Sequence, residues 1–410
     1  MVPRRAAAHA AGGTLAERLE SSEGSVGGAR PDARPAELPA LTSLRGIAAV
    51  TVVLFHSSFV TLHYGGGGPP WIWRRGYLAV DLFFFLSGFV LAHVYGHRLA
   101  DDRRWRAVGK FLWARFCRVY PASLFVVSIF VLQYATNRLA FPPAVSFKAQ
   151  LTASLLLMQV PWLNEVVING PSWSISAEWY AYLLFPVIVP IILRLQSRMA
   201  ALVCMSLLIL IGIDHMIFTH EQQNFGWGAL VRAALEFTVG IFAYRSYQEH
   251  LLRKIWEKDA TLIVIGVLMI TFCLVGLSDG LVVIMMPFLL LASVCNSGRM
   301  AVILNARPLH WLGEVSYSVY IFQILPMMVV TTMSGILVVQ GLRGIPFEVI
   351  TALFAIGSGV LVHRCVDVPT RAALRRLPER LSAFAASYQR RHAGSVAATS
   401  PSVSAPRSEV

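Results

Sequence analysis

The chain has 410 residues, of which 56% are hydrophobic and 14% are charged, and its mean hydropathy is +0.61. This composition excludes a water-soluble multidomain protein, whose surface must be largely polar. The net charge of +13 does not indicate DNA or RNA binding, because the basic residues lie between apolar runs and in the two tails. The five cysteines form no CxxC pair, so the sequence predicts neither a zinc site nor a disulfide framework.

Apolar runs of about 20 residues recur along the chain, and each is long enough to cross a hydrocarbon core of about 30 Å. These runs predict an all-α, polytopic membrane helical bundle with about ten transmembrane helices. The first run begins near Leu41 and is too long for a signal core, so it is expected to remain as the first span. The predicted spans are 41–62, 77–96, 116–137, 174–193, 199–217, 226–244, 259–277, 280–296, 312–336 and 347–363.

A shorter apolar stretch at 150–163 could be a short span, a re-entrant element or an interfacial helix. Short cytoplasmic loops carry an excess of Lys and Arg. If this stretch does not cross and the N-terminus lies inside, 29 of the 35 Lys and Arg residues face the cytoplasm. The charge pattern therefore predicts ten crossings with both termini in the cytoplasm.

The composition divides the chain into three segments. Residues 1–40 contain no apolar stretch and are predicted to form a disordered cytoplasmic tail. Residues 41–366 form the membrane domain. Residues 367–410 are basic and then rich in Ser, Ala and Pro, which predicts a partly disordered cytoplasmic tail.

Ionisable residues inside the spans are costly in hydrocarbon and usually face a cavity or a partner. The predicted topology puts five of them at one depth in the outer half of the membrane: His56, Asp81, Glu178, Arg232 and Glu236. Three arginines are predicted near the cytoplasmic boundary: Arg45, Arg115 and Arg118. Arginine forks bind phosphates and a histidine can accept a hydroxyl proton, so this arrangement favours an acyl-coenzyme A donor that enters from the cytoplasm.

Two other functions stay open on the residues alone. A proton-coupled transporter of a small or lipid-linked substrate could use His56, Asp81, Glu178 and Arg232 as a relay, although no internal repeat of the kind common in transporters is evident. A purely structural anchor would not explain five ionisable groups at one depth. Each residue taken alone also has a simpler interpretation: it could pack in the core, form an ion pair between helices, or be one of the basic residues common near cytoplasmic loops.

Five ordered segments resemble the motifs of the acyltransferase-3 family, membrane enzymes that O-acylate bacterial surface glycans and related acceptors. The first segment, LTSLRGIAAVTVVLFHSSF from Leu41, contains an Arg-Gly pair followed about ten residues later by a histidine. The other four are VDLFFFLSGFVLAHVY from Val80, RFCRVYPAS from Arg115, PSWSISAEWYAYLLFP from Pro171 and SYSVYIFQ from Ser316. The resemblance extends from residue 41 to about residue 371.

The resemblance implies a bacterial inner-membrane enzyme that transfers an acyl group, most simply acetyl from acetyl-CoA, to a hydroxyl of a lipopolysaccharide or exopolysaccharide. Acyl-CoA would be a co-substrate, with no bound cofactor and no metal, and the acceptor would be a carbohydrate or lipid-linked glycan. The implied catalytic residues are His56, Glu178 and Asp81, and the implied donor-binding residues are Arg45, Arg115 and Arg118. Supporting roles are implied for Ser87, Gly88, Trp173, Ser176, Arg232, Tyr317 and Tyr320.

The sequence departs from the family pattern in two ways. Many relatives carry a histidine at the position of Gln323, and some append an extracytoplasmic esterase-like domain that has no counterpart here. Acceptor handling is therefore expected to fall to the membrane domain or to a lipid-linked acceptor. Small residues such as Gly46, Ser87 and Gly88 are predicted to line a passage for the pantetheine arm between the arginines and His56.

Overall fold

The computed structural model describes residues 37–64, 74–100, 104–139, 142, 145–163, 165–217, 226–339 and 344–382. Within these ranges the chain consists of helices and their connections and contains no strand, which confirms the all-α prediction. Most of the two predicted tails, 1–36 and 383–410, lies outside the described residues.

The helices follow the predicted spans closely, and several connections carry short helices of their own. The first eight are α1 (Pro39–Tyr64), α2 (Ala79–Leu99), α3 (Arg104–Ala135), α4 (Phe147–Leu156), α5 (Gln159–Trp162), α6 (Ser172–Arg194), α7 (Ser197–Ile217) and α8 (Gly226–Gln248). The remainder are α9 (Arg253–Trp256), α10 (Asp259–Val275), α11 (Asp279–Cys295), α12 (Arg299–Leu304), α13 (Arg307–Phe322), α14 (Ile324–Val339) and α15 (Ile345–Val362).

Seven helices in the described part of the chain are long and apolar enough to cross a membrane: α1, α2, α3, α6, α7, α8 and α15 with its continuation. The predicted span 312–336 is instead a pair of helices, α13 and α14, which meet at an angle of 58° and would make an eighth crossing together. The predicted spans 259–277 and 280–296 correspond to α10 and α11, each of 17 residues. That α10 and α11 cross the membrane stays a prediction, as does the cytoplasmic position of both termini.

The ambiguous stretch 150–163 folds as two short helices rather than one span. Ser146 caps α4 by accepting a hydrogen bond from the backbone N–H of Ala149, at 3.4 Å. The helix ends at Leu156, and the next residue, Leu157, has a left-handed φ of 55°. A ten-residue helix is about 15 Å long, half of what a crossing needs. Neither α4 nor α5 can span the membrane alone.

Helix α3 begins 12 residues earlier than the predicted span at 116, and this changes where two arginines lie within the helix. The basic segment at its start is polar but helical, so Arg115 and Arg118 lie in the middle of a 32-residue helix rather than at its end. Arg118 is correspondingly shielded, with 17% of its side chain exposed. The position of these arginines relative to the cytoplasmic boundary stays a prediction.

Two pairs of helices approach so closely that only glycine fits between their backbones. A Cβ atom on Gly88 would lie 1.9 Å from the carbonyl oxygen of Phe237, and one on Gly240 would lie 2.2 Å from that of Phe85. Gly46 of α1 similarly faces the backbone of α13, with its Cβ position 2.7 Å from the Gly313 nitrogen. Gly46 and Gly88 therefore pack helices and do not line a passage, contrary to the prediction.

Replacing Gly88 with alanine should destabilise the bundle strongly. The added methyl group meets a backbone carbonyl that cannot rotate away, and overpacking of this kind costs typically about 1–3 kcal/mol or more. Thermal unfolding in detergent measures the effect. Gly266→Ala is the matched control, because its Cβ position in α10 has no described neighbour within 4 Å. Equal melting temperatures for the two variants would contradict the close packing of α2 on α8.

The last helix extends beyond the predicted end of the membrane domain. A π-helical turn, His363–Asp367, follows α15, and the helical chain continues to Ser382. Asp367 is fully buried in this turn. Part of the segment predicted as a solvated tail is thus packed against the bundle.

Candidate functional site

A cavity of about 110 Å³ lies between α1, α2, α3, α6 and α13, and is called the arginine cavity below. Its walls are partly aromatic and aliphatic, with residues such as Phe83, Phe84 and Leu91. Its polar lining comes from five helices: Arg45, Ser87, Arg115, Arg118, Ser174, Glu178, Tyr182, Ser316, Tyr317 and Tyr320. The three predicted donor-binding arginines are therefore brought together in one place.

Neighbouring groups fix the orientation of each arginine. Arg45 donates a hydrogen bond to the carbonyl oxygen of Gly313 at 3.0 Å. Arg115 lies over the ring of Tyr95, and Arg118 over the ring of Tyr317, with 5.4 and 5.2 Å between guanidinium carbon and ring centre. The Nε atom of Arg115 is buried and has no hydrogen-bond partner among the described residues. The site thus holds the guanidinium groups in place and leaves the Nε–H donor of Arg115 available for a ligand.

Glu178 is the one carboxylate that lines this cavity in the described chain. It accepts a hydrogen bond from the hydroxyl of Ser87, and it lies close enough to Arg45 to interact with its charge. Three guanidinium groups against one carboxylate leave the cavity positively charged. The sequence predicted that Glu178 lies at a different depth from the arginines. The structure corrects this prediction, because Glu178 on α6 lines the same cavity as the arginines.

His56 lies beside the cavity rather than in its wall. It follows Arg45 by 11 residues on α1, about 16 Å and close to three full turns, so both side chains project from the same face of the helix. The Nδ1 atom lies 3.0 Å from the carbonyl oxygen of Val52. Because a carbonyl can only accept, the proton sits on Nδ1 and the Nε2 atom keeps its lone pair. That lone pair can act as a base.

Gln323 connects His56 to the cavity wall. It lies at the bend between α13 and α14, is fully buried, and has its side chain next to the imidazole. Its amide group donates to the carbonyl oxygen of Tyr320 at 3.0 Å, and Tyr320 lines the cavity. Gln323 thus links the imidazole of His56 to the cavity-lining Tyr320.

The predicted supporting residues divide between the cavity and its surroundings. Ser87, Tyr317 and Tyr320 line the cavity. Ser176 instead ties α6 to the short α4–α5 segment, accepting from the backbone N–H of Val160 and donating to the carbonyl oxygen of Leu157. The others also lie behind the lining rather than in it: Gly88, Trp173 and Arg232.

Asp81 does not line the cavity either. Its carboxylate is fully buried and is held by Arg232, whose Nε and Nη2 atoms both lie 2.6 Å from Oδ1. His215 and Glu236 complete a buried group around it, called the Asp81 cluster below. The relay of the transporter hypothesis is therefore split, with His56 and Glu178 at the cavity and Asp81 and Arg232 in this cluster.

Sequence reasoning missed several residues near the site. Asp367 lies 3.7 Å from Arg118, accepts a hydrogen bond from Ser318 at 3.1 Å and pairs with Arg371. Asp367 lies four residues after His363 and four residues before Arg371. This i, i+4 spacing is the signal in the sequence that could have predicted a continuing helix. His215 belongs to no motif, and nothing in the sequence pointed to it.

Comparisons with known proteins place the chain among acyltransferases. The model of the acyltransferase-3 family, described as an acyltransferase domain, matches residues 38–364, about four fifths of the chain. No solved structure matches.

Three relatives illustrate the range of similarity. Protein 2 in the picA locus of Rhizobium radiobacter is 34% identical over 152 residues, which cover 34% of this chain and 72% of that protein. The acyltransferase MdmB of Streptomyces mycarofaciens is 34% identical over 174 residues, covering 40% of this chain and 42% of MdmB. The O-acetyltransferase OatA of Staphylococcus aureus is 24% identical over 390 residues, covering 86% of this chain but 60% of OatA. The chain thus spans less than two thirds of the length of two of these relatives.

Proposed function

Because the chain belongs to the acyltransferase-3 family, we propose that it transfers an acyl group from acyl-CoA to a hydroxyl group of a surface or exported carbohydrate. The observation that carries this proposal is the arginine cavity beside His56. Three fixed guanidinium groups suit the phosphates of coenzyme A, since they bind phosphate bidentately and stay charged.

The residues divide the chemistry between them. The lone pair on Nε2 of His56 accepts the proton of the acceptor hydroxyl while its oxygen attacks the thioester carbonyl. The C–S bond then breaks, and the coenzyme A thiolate takes the proton back from the imidazolium. Gln323 and the carbonyl oxygen of Val52 hold the ring, and Glu178 orients Ser87 and Arg45 in the cavity.

The donor and the acceptor follow from the relatives and from the charge distribution of the chain. The similarity to OatA, named as an O-acetyltransferase, supports acetyl as the acyl group and an oxygen as the acceptor atom. We assign the protein to the bacterial inner membrane, with coenzyme A entering from the cytoplasm, because the Lys and Arg distribution favours that orientation. A lipid-linked or membrane-bound glycan would reach His56 from the other side.

A transfer assay on the purified full chain tests this function. The protein in lipid nanodiscs should release free coenzyme A from acetyl-CoA in the presence of a membrane glycan fraction, with O-acetyl groups appearing on the glycan in equal amount. Release that never depends on the glycan would show hydrolysis rather than transfer. If well-folded protein tested with several glycan sources neither releases coenzyme A nor labels the glycan, the proposal is contradicted.

Glu178→Gln should separate donor binding from the chemical step. The change removes a negative charge beside three arginines, so the KM for acyl-CoA should not rise. The turnover number should fall, by about tenfold or more, because the amide no longer holds Ser87 and Arg45 as the carboxylate does. Glu348→Gln is the matched control, since Glu348 is a carboxylate inside another membrane helix and does not line the cavity. A raised KM with unchanged turnover would assign Glu178 to donor binding alone.

A further inference from the structure

The Asp81 cluster contains several buried acceptor atoms that receive no hydrogen bond from the described chain. The Nδ1 atom of His215 lies 3.0 Å from the carbonyl oxygen of Ile211, so Nδ1 carries the proton and Nε2 keeps its lone pair. That lone pair faces Oδ1 of Asp81 at 3.7 Å and Oε1 of Glu236 at 3.8 Å. Three acceptor atoms therefore lie together; Oδ1 of Asp81 accepts from Arg232, whereas Nε2 of His215 and Oε1 of Glu236 have no hydrogen-bond donor among the described residues.

These side chains are buried and carry acceptor atoms without partners. The side chains of Asp81 and Glu236 are fully buried, and 1% of the His215 side chain is exposed. Neither oxygen of Glu236 accepts a hydrogen bond from a described residue, and the same holds for Nε2 of His215 and Oδ2 of Asp81. Leaving such groups unsatisfied in a low-dielectric interior costs free energy, so something that supplies positive charge belongs between them.

The separations match those of ligands around one metal ion. Ligand atoms from Asp81, His215 and Glu236 all lie within 4.8 Å of one another. Two atoms about 3.7 Å apart can both bind a cation at about 2.1 Å, with an angle near 120° at the metal. One imidazole nitrogen and two carboxylate oxygens form a donor set suited to divalent transition metals such as zinc or manganese.

The charges in the neighbourhood agree with a divalent ion. Asp214, whose Oδ2 atom lies 3.8 Å from Nδ1 of His215, adds a third carboxylate to those of Asp81 and Glu236. Arg232 contributes one positive charge and holds Oδ1 of Asp81, as groups behind metal ligands commonly do. The two buried carboxylates Asp81 and Glu236 face the one guanidinium group of Arg232, and a bound cation would offset the excess of negative charge.

We propose that Asp81, His215 and Glu236 form a binding site for one divalent transition-metal ion that joins α2, α7 and α8. The ion is structural in this account. Only 22% of the α7 span is buried within the protein, the smallest share among the seven long helices of the described chain, so a bond through His215 would attach this helix to the bundle. Arg232 lies over the ring of Trp173, next to the cavity-lining Ser174, which connects the ion to the rear of the arginine cavity.

Metal content of the full chain tests the proposal directly. Protein stripped with a chelator, re-equilibrated with Zn²⁺ or Mn²⁺ and separated from free metal should retain about one equivalent of one of these ions. His215→Ala and Glu236→Gln should each lose at least about 90% of it, whereas the control His310→Ala, which changes a half-exposed histidine elsewhere, should retain it. The retained ion should also raise the melting temperature of wild type and control but of neither site variant.

A second measurement uses the wild-type chain alone, in case the site variants fail to fold. Co²⁺ added to the stripped protein should produce a visible absorption band of nitrogen- and oxygen-coordinated cobalt, and excess Zn²⁺ should remove it. Wild type that retains no metal and shows no band would overturn the proposal, and a proton shared between Asp81 and Glu236 would then satisfy the cluster. Equal retention in wild type and both site variants would also overturn it, because the metal would be bound elsewhere.

Discussion

His56→Ala should reduce acyl transfer about 10²- to 10⁴-fold, the usual loss when a positioned acid–base group is removed. Binding of coenzyme A should stay unchanged, because His56 lies beside the arginine cavity and not in its lining. The fold should also survive, since the imidazole makes one hydrogen bond within its own helix and one side-chain approach to Gln323. The rate of O-acetyl transfer and the affinity for coenzyme A measure the two effects separately.

The control for this variant is His93→Ala. His93 is also a half-buried histidine of a membrane helix, in α2, but it does not line the arginine cavity. It should therefore transfer at close to the wild-type rate. A stable His56→Ala protein with wild-type activity would show that His56 is a packing residue, and the proposed mechanism would lose its base.

Arg45→Gln and Arg118→Gln should each weaken the binding of coenzyme A by about 10- to 150-fold. Each loses a charge-assisted hydrogen bond to a phosphate, worth about 1.5–3 kcal/mol, and tenfold in affinity corresponds to about 1.4 kcal/mol. Lysine at the same positions should restore only part of the affinity, because it lacks the planar fork. Isothermal titration with coenzyme A on protein in nanodiscs gives the dissociation constants.

Arg198→Gln is the control for these variants. It removes one positive charge from an exposed position at the start of α7, outside the cavity. Its affinity for coenzyme A should match that of wild type. Unchanged affinity in both cavity variants would mean that the arginines stabilise the bundle and that the donor binds elsewhere.

The membrane fold could be predicted because its signal is local. Apolar runs of about 20 residues reveal spanning helices whatever they pack against, and the family match over residues 38–364 confirms the resemblance recognised in the motifs. Helix ends were harder. The charged start of α3 resembled a loop, so the predicted span began 12 residues after the helix does, and Arg115 and Arg118 lie inside the helix rather than at its end.

The site was only partly predictable, because contacts between distant segments have no local signal. The motifs predicted the arginines, Ser87 and Glu178, and the structure brings these residues together in one cavity. The packing role of Gly88 depends on the backbone of Phe237, which the sequence around Gly88 does not reveal. Asp81 is likewise separated from the cavity by its pairing with Arg232, from a helix far along the chain.

Photoaffinity labelling with an acyl-CoA that carries a diazirine on its acyl chain tests the central claim most directly, that acyl-CoA binds in the arginine cavity with its thioester near His56. Peptide mapping should place the label on α1, α2 or α13, on peptides that contain His56, Ser87 or Tyr320. Excess coenzyme A should prevent this labelling, and Arg45→Gln should reduce it. Label confined to helices that do not line the arginine cavity, or label at the cavity that coenzyme A does not displace, would contradict the account.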